Sequence, residues 1–135
     1  MIVVDANIIA YYSIEGVKTE LAHKLWKKDN DWRVPSLWQD EFLNILAINE
    51  RTGNLDITAC LSILHIVSNL LANSQEKVDM PLALTLASKY RISAYDAQYL
   101  AVAKTIGVSL ITEDSKLRKA APDLTLSMQE FLELE

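Results

Sequence analysis

The amino-acid sequence predicts an α/β fold around a central parallel sheet. Three observations predict it. Short strand-like runs, Ile2-Val3-Val4, Trp32-Arg33-Val34 and Val108-Ser109-Leu110-Ile111, alternate with longer stretches of helical spacing, the pattern of βαβ units. Glycine and proline number only three each, which favours long regular elements and short loops. Acidic residues, Asp5 and Asp114, follow the first and last of these runs. In an open parallel sheet the carboxyl ends of the strands line one edge, and ligands bind in the crevice there.

The elements follow in chain order. Residues 1–5 read as a short buried strand, after which Asp5 caps a helix through Ala6-Asn7-Ile8-Ile9-Ala10-Tyr11-Tyr12. Residues 18–28 place Leu21, Leu25 and Trp26 among Lys, Glu and His, the spacing of a half-exposed helix. Trp32 to Val34 is a strand ended by Pro35. Ser36 or Leu37 opens the helix LWQDEFLNILAINERTG, which Gly53 stops. Asp56 or Thr58 opens another, and a weak strand is expected near Val78. Residues 81–90 are a helix, Ser93 starts the next, and Gly107 ends it. Val108 to Thr112 is a strand and Ser115–Ala121 a short basic helix. Leu124 to Ser127 reads as a last strand and Gln129 to Leu134 as a closing helix. Crossovers between parallel strands are expected to be right-handed. No composition break divides residues 1–135, so one domain is expected.

Composition narrows the class. The chain has 135 residues, half of them hydrophobic, enough for a core. No apolar run reaches the length of a membrane span, and MIVVD lacks the basic start of a signal peptide, so the expectation is a cytoplasmic protein without a membrane partner. Cys60 is the single cysteine and reads as a small buried hydrophobe. With 13 basic and 18 acidic residues the net charge is −5, which argues against a broad basic surface for nucleic acid. A bound divalent ion would reverse that charge locally, so a nuclease is not excluded.

Asp5, Glu41, Asp96 and Asp114 are far apart in sequence, yet each stands where the fold would gather acids. Carboxylates sharing a crevice repel, so they take up protons or hold a cation. An oxygen-only set favours Mg²⁺ or Mn²⁺. Each Asp also has a structural explanation as a helix cap, and Ser93-x-x-Asp96 resembles a capping box with Asp in place of Glu. The two readings are compatible because a carboxylate has two oxygens. Glu41 shares a helix face with Asn44, Ile45 and Ile48, where an unpartnered acid is costly. The spacing leaves neighbouring Asp40 open, since it pairs with Asn44 at i, i+4. Asn7, two residues after Asp5, and Thr112, two before Asp114, could position water or phosphate, or simply satisfy nearby backbone. Lys116, Arg118 and Lys119 form a small basic patch that would steer phosphate or be merely the charged face of a helix. His23 and His65 are isolated and read as surface and core residues. No Gly-rich phosphate loop and no Ser-His-Asp or Cys-His set is present.

Four segments carry a family resemblance: VVDANIIAYY, PSLWQDEFLNIL, SAYDAQYLAVAKTIGVSLITED, and the acid near the C-terminus. Together they resemble the PIN-domain family, in particular the VapC-like ribonuclease toxins of toxin–antitoxin pairs. The third segment is the most specific, with Tyr95-Asp96-Ala97, Gly107 and Thr112-x-Asp114 in the family's order. The resemblance implies a three-layer α/β/α sandwich with the acids at one edge of the sheet. It maps Asp5, Glu41, Asp96 and Asp114 onto the family's acidic metal-binding set, with Glu41 rather than Asp40 as the central acid. Asn7 and Thr112 match polar positions that accompany the set.

The resulting expectation is a Mg²⁺- or Mn²⁺-dependent endoribonuclease. Asp5, Asp96 and Asp114 would hold metal, and Glu41 would be a ligand or water-orienting base. RNA is the expected substrate, and the expected partners are a small antitoxin protein and a second copy in a homodimer. Apolar content in residues 8–12, 37–48 and 61–71 motivates those protein partners. A non-catalytic binding module is a different reading, separable by testing RNA cleavage with Mn²⁺. A receiver-like phosphoacceptor fits less well, because Asp5 stands alone at the first strand where a pair of acids is needed.

Overall fold

The first strand, β1 (Ile2–Val4), has all three residues buried. Its side chains alternate between the two faces of the sheet. Ile2 and Val4 enter one hydrophobic cluster and Val3 the other, so β1 is the centre of a layered structure. The computed structural model describes all 135 residues. The remaining elements are α1 (Ala6–Ser13), α2 (Thr19–Lys28), β2 (Trp32–Arg33), α3 (Trp38–Arg51), α4 (Ile57–Leu70) and α5 (Met80–Tyr90). They continue with α6 (Ala94–Ile106), β3 (Leu110–Ile111), α7 (Ser115–Ala120), β4 (Thr125–Leu126) and α8 (Met128–Glu133).

The four strands form one sheet in the order β2-β1-β3-β4, and all pairs are parallel. Val3 lies opposite both Arg33 and Leu110, and Leu110 lies opposite Thr125. On one face Ile2, Val4 and Ile111 pack with Leu25 of α2, Phe42 of α3 and Met128 of α8. On the other, Val3 and Leu110 pack with Leu86 of α5, Leu117 of α7 and the Ala97–Ala103 stretch of α6. This is the α/β/α sandwich with a central parallel sheet that the sequence predicts.

Helix α6 places the third acid of the set. Ser93 Oγ accepts the Asp96 N–H at 3.0 Å, and Gly107 closes the helix with φ +75°, a left-handed conformation that glycine adopts without penalty. Ala97, Ala101 and Ala103 are completely buried, and their small size lets the helix backbone sit close to the sheet and α5.

Three expectations need correction. No strand forms near Val78; only an isolated parallel bridge joins Val34 to Gln75. Pro35 follows Val34 at once, so the ladder cannot continue, and Asp79 instead caps α5 by accepting the Leu82 N–H at 3.0 Å. Of the apolar stretches credited to partners, residues 8–10 belong to the core, with Ile8 and Ile9 buried. Exposed apolar surface does remain between α3 and α4. Leu43, Ile57 and Leu61 are each more than half exposed there, beside a groove of about 330 Å³. Cys60 is buried, its thiol facing the Leu46 carbonyl oxygen at 3.6 Å. His65 lies on the surface beside Asn69 rather than in the core. No helix is long and apolar enough to cross a membrane.

Candidate active site

The sheet order contains one reversal. From β1 the chain moves outward to β2, then returns to β3 on the other side and moves outward to β4. The crevice at such a switch point lies beyond the carboxyl ends of the two central strands, here β1 and β3. Asp5 directly follows β1, and Asp114 comes three residues after the last residue of β3. A cleft of about 220 Å³ opens at that point, lined by Asp5, Asn7, Glu41, Asp96, Tyr99 and Asp114 among others. Four acids from four separate elements therefore meet in one place. Asp40 is solvent-exposed and outside the cleft, whereas Glu41 lines it, so of the two neighbouring acids Glu41 is the one beside the other three. Asn44 and Ile45 line the cleft with Glu41, while Ile48 is exposed beyond it.

Asp5 both caps α1 and lines the cleft. One carboxylate oxygen accepts the Ile8 N–H at 3.1 Å, and the other accepts the Thr112 hydroxyl at 2.5 Å. Burial nevertheless pushes its pKa up to about 6, with Asp96 and Glu41 adding repulsion and the two hydrogen bonds opposing the rise. Burial also raises Glu41, to which Asp96 contributes, and raises Asp96, to which Asp114 contributes. This mutual repulsion follows from convergence, since isolated helix caps would not feel one another. Asp114 Oδ1 accepts the Lys116 and Leu117 N–H groups at 2.9 and 3.2 Å, leaving Oδ2 without a protein donor.

Thr112 is fully buried and does not line the cleft. Its hydroxyl donates to Asp5 and accepts the Asp114 N–H at 3.1 Å, so one oxygen ties the two strand-end acids together. The hydroxyl therefore contacts those two acids and not the open cleft. We expect Thr112→Val to destabilise the protein by about 1–3 kcal/mol, because both partners lose their hydrogen bond in a part-buried setting. The Asp5 pKa should rise further, since the Thr112 bond is the largest influence holding it down. Urea unfolding and a carboxyl carbon NMR titration measure the two effects; an unchanged Asp5 titration would refute the link.

Asn7 is exposed at the cleft, and its carboxamide makes no hydrogen bond within the protein. The basic patch divides. Arg118 Nη1 donates to the Thr112 carbonyl at 2.9 Å, which anchors the strand end, while Lys116 and Lys119 are exposed. Tyr99 was not singled out by sequence reasoning. It is buried, yet its hydroxyl donates to Glu41 Oε1 at 2.6 Å. The available signal was its position three residues after Asp96 in α6, which puts both on one helix face.

The donor set suits a hard cation: all the groups are oxygens, and Glu41 Oε2 and Asp114 Oδ2 are unclaimed by the protein. No three His, Cys, Asp or Glu side chains stand as direct ligands around one point. Mg²⁺ commonly takes one or two carboxylates directly and keeps several waters, so it does not require three direct ligands.

Against known families, the PIN domain matches residues 2–122. The chain belongs to the PIN domain family. Among solved structures, this PIN domain is similar to PAE2754 from Pyrobaculum aerophilum, with 22% identity and a TM-score of 0.75 over 97% of this chain and 85% of that one. It is also similar to FitAcB from Neisseria gonorrhoeae, with 19% identity and a TM-score of 0.72 over 96% and 99% of the two chains. FitAB bound to an IR36 DNA fragment gives 19% identity and a TM-score of 0.65 over 100% and 98%. At these identities the likeness is one of fold. No curated protein is significantly similar to the chain.

Proposed function

We propose that this PIN domain is a Mg²⁺- or Mn²⁺-dependent endoribonuclease and the toxin of a toxin–antitoxin pair. PIN domains are generally nucleases. The observation that carries the reading is the meeting of Asp5, Glu41, Asp96 and Asp114 in one cleft, three of them with raised proton affinity. Groups placed at an energetic cost in a shared cleft are functional candidates.

In this reading Asp5, Asp96 and Asp114 would hold the cation, one or two of them directly and the rest through its waters. A bound divalent ion supplies positive charge against the phosphate and lowers the pKa of water. Glu41, its Oε1 taken by Tyr99, has Oε2 free to serve as a further ligand to that cation or to orient a water and take its proton. The Asn7 carboxamide offers an N–H to a phosphate oxygen. Thr112 keeps Asp5 and Asp114 in register without touching substrate. The resemblance to VapC-like toxins supports an antitoxin, and the apolar surface between α3 and α4 offers anchors at helical spacing to a partner helix or a second copy.

The test is incubation with Mn²⁺ and mixed RNA, beside chelator, single-stranded DNA and Asp96→Asn controls. Chelator-sensitive cleavage of RNA that spares DNA is expected. Mn²⁺ binding without cleavage would leave a binding module, and equal cleavage by Asp96→Asn would refute the assigned site.

A further inference from the structure

We infer that Tyr99 is a positioning residue that sets the metal-binding geometry of the cleft by fixing the Glu41 carboxylate. This rests on the metal-dependent reading above and assigns a role to a residue outside its acidic set.

The geometry is specific. Glu41 sits in the first turn of α3 and Tyr99 in α6, helices on opposite faces of the sheet. Their side chains meet across the crevice beyond the strand ends, 58 residues apart in sequence, at 2.6 Å. That distance is typical of a hydroxyl donating to a charged carboxylate, a stronger bond than one between neutral groups. The tyrosine ring is buried and cannot swing away, whereas a glutamate has several rotatable bonds. The rigid partner therefore sets the flexible one. The bond takes Oε1 and leaves Oε2 for the cleft.

The alternative, that Tyr99 only fills the core, does not explain the hydroxyl. A phenylalanine would fill the same volume without placing a polar oxygen in a buried position. The phenol stays protonated, because burial first and then Glu41 keep its pKa far above the ordinary tyrosine range. It therefore serves as a neutral donor and brings no charge of its own. Partners that orient metal ligands typically cost 10–100-fold in metal affinity or activity when removed.

Mn²⁺ binding, followed by the electron paramagnetic resonance signal of the free ion, tests this without any substrate. The variants are Tyr99→Phe, Glu41→Gln and the double variant. Tyr99→Phe removes one oxygen and keeps the ring; Tyr99→Met is a second side chain without a donor and must give the same loss. We expect the Mn²⁺ dissociation constant of Tyr99→Phe to rise by on the order of tenfold or more. In the Glu41→Gln background the same substitution should add less than about twofold, because the two groups act as a unit. A role confined to packing would lower the melting temperature and leave Mn²⁺ affinity unchanged. Equal affinity in parent and Tyr99→Phe would overturn the inference alone, as would an undiminished effect in the Glu41→Gln background. A parent protein that binds no Mn²⁺ would overturn the metal-dependent reading and this inference with it.

Discussion

Asp96→Asn should lower divalent-metal-dependent RNA cleavage by on the order of 10²–10⁴-fold while leaving the protein folded. A bound cation contributes several kcal/mol of transition-state stabilisation, and each 1.36 kcal/mol is about a factor of ten in rate. Asp96 is the most informative of the four acids to change. Ser93, not Asp96, is the N-cap of α6, so the cap survives the substitution. What the helix loses is one charge in its first turn, worth about 0.3–1 kcal/mol. The fold should absorb that, whereas a site built on shared charge should not. Asp5→Asn and Asp114→Asn are less clean, because both carboxylates also cap helices. Asp40→Asn is the matched control: one residue from Glu41, exposed and outside the cleft, it should change the rate by less than about twofold. Steady-state cleavage of a fluorogenic RNA, with circular dichroism on each variant, measures all four. Comparable loss in Asp40→Asn and Asp96→Asn would mean that general surface charge, not the cleft, governs the activity.

Asp5 and Asp114 were legible in the sequence because a strand end is a local feature: an apolar run stops and an acid follows. The switch point that brings them together was not legible, since strand order depends on which strands pair. Glu41 was half legible. Helical spacing found the face but could not separate it from Asp40; the family resemblance named Glu41, which is the one of the two that lines the cleft. Tyr99 was hidden for a physical reason. A buried tyrosine in an apolar helix has the same pattern as a core phenylalanine, and the partner that distinguishes it lies on another helix. The weak strand at Val78 failed because propensity cannot override a proline that ends the neighbouring strand at Pro35. The α/β/α layering succeeded because β1 is buried on both faces, and such a strand reads as a continuous apolar run.

The acidic cleft should make the metal-free protein less stable as pH rises through the range from about 4 to 6. The sign follows from Asp5, whose pKa is 3.8 in an ordinary setting and about 6 in the folded protein. Between those values the folded state binds the proton more tightly than the unfolded chain does. Stability therefore falls with rising pH across that window and is lowest above it. The shift corresponds to roughly 3 kcal/mol at neutral pH. Glu41 and Asp96 are raised as well and act in the same direction. Glu130, exposed and held down by its bonds to Ser127, acts in the opposite direction, so the decisive quantity is the difference between variants. Asp5→Asn removes the burial penalty on charge and keeps a good N-cap side chain. It also leaves the Thr112 hydroxyl a poorer partner, which offsets part of the gain. We expect the metal-free variant to melt roughly 3–8 °C above the parent at pH 7, with the difference vanishing below about pH 4. Millimolar Mn²⁺ should raise the melting temperature of the parent at pH 7 by mass action on the native state. The gain should shrink near pH 5, where protons compete for the same oxygens, and should be smaller in Asp5→Asn at every pH. Differential scanning calorimetry across this pH range reads the whole pattern. A metal-free parent that grows more stable from pH 4 to 7 relative to Asp5→Asn, with no response to Mn²⁺, would mark these carboxylates as helix caps that happen to be neighbours.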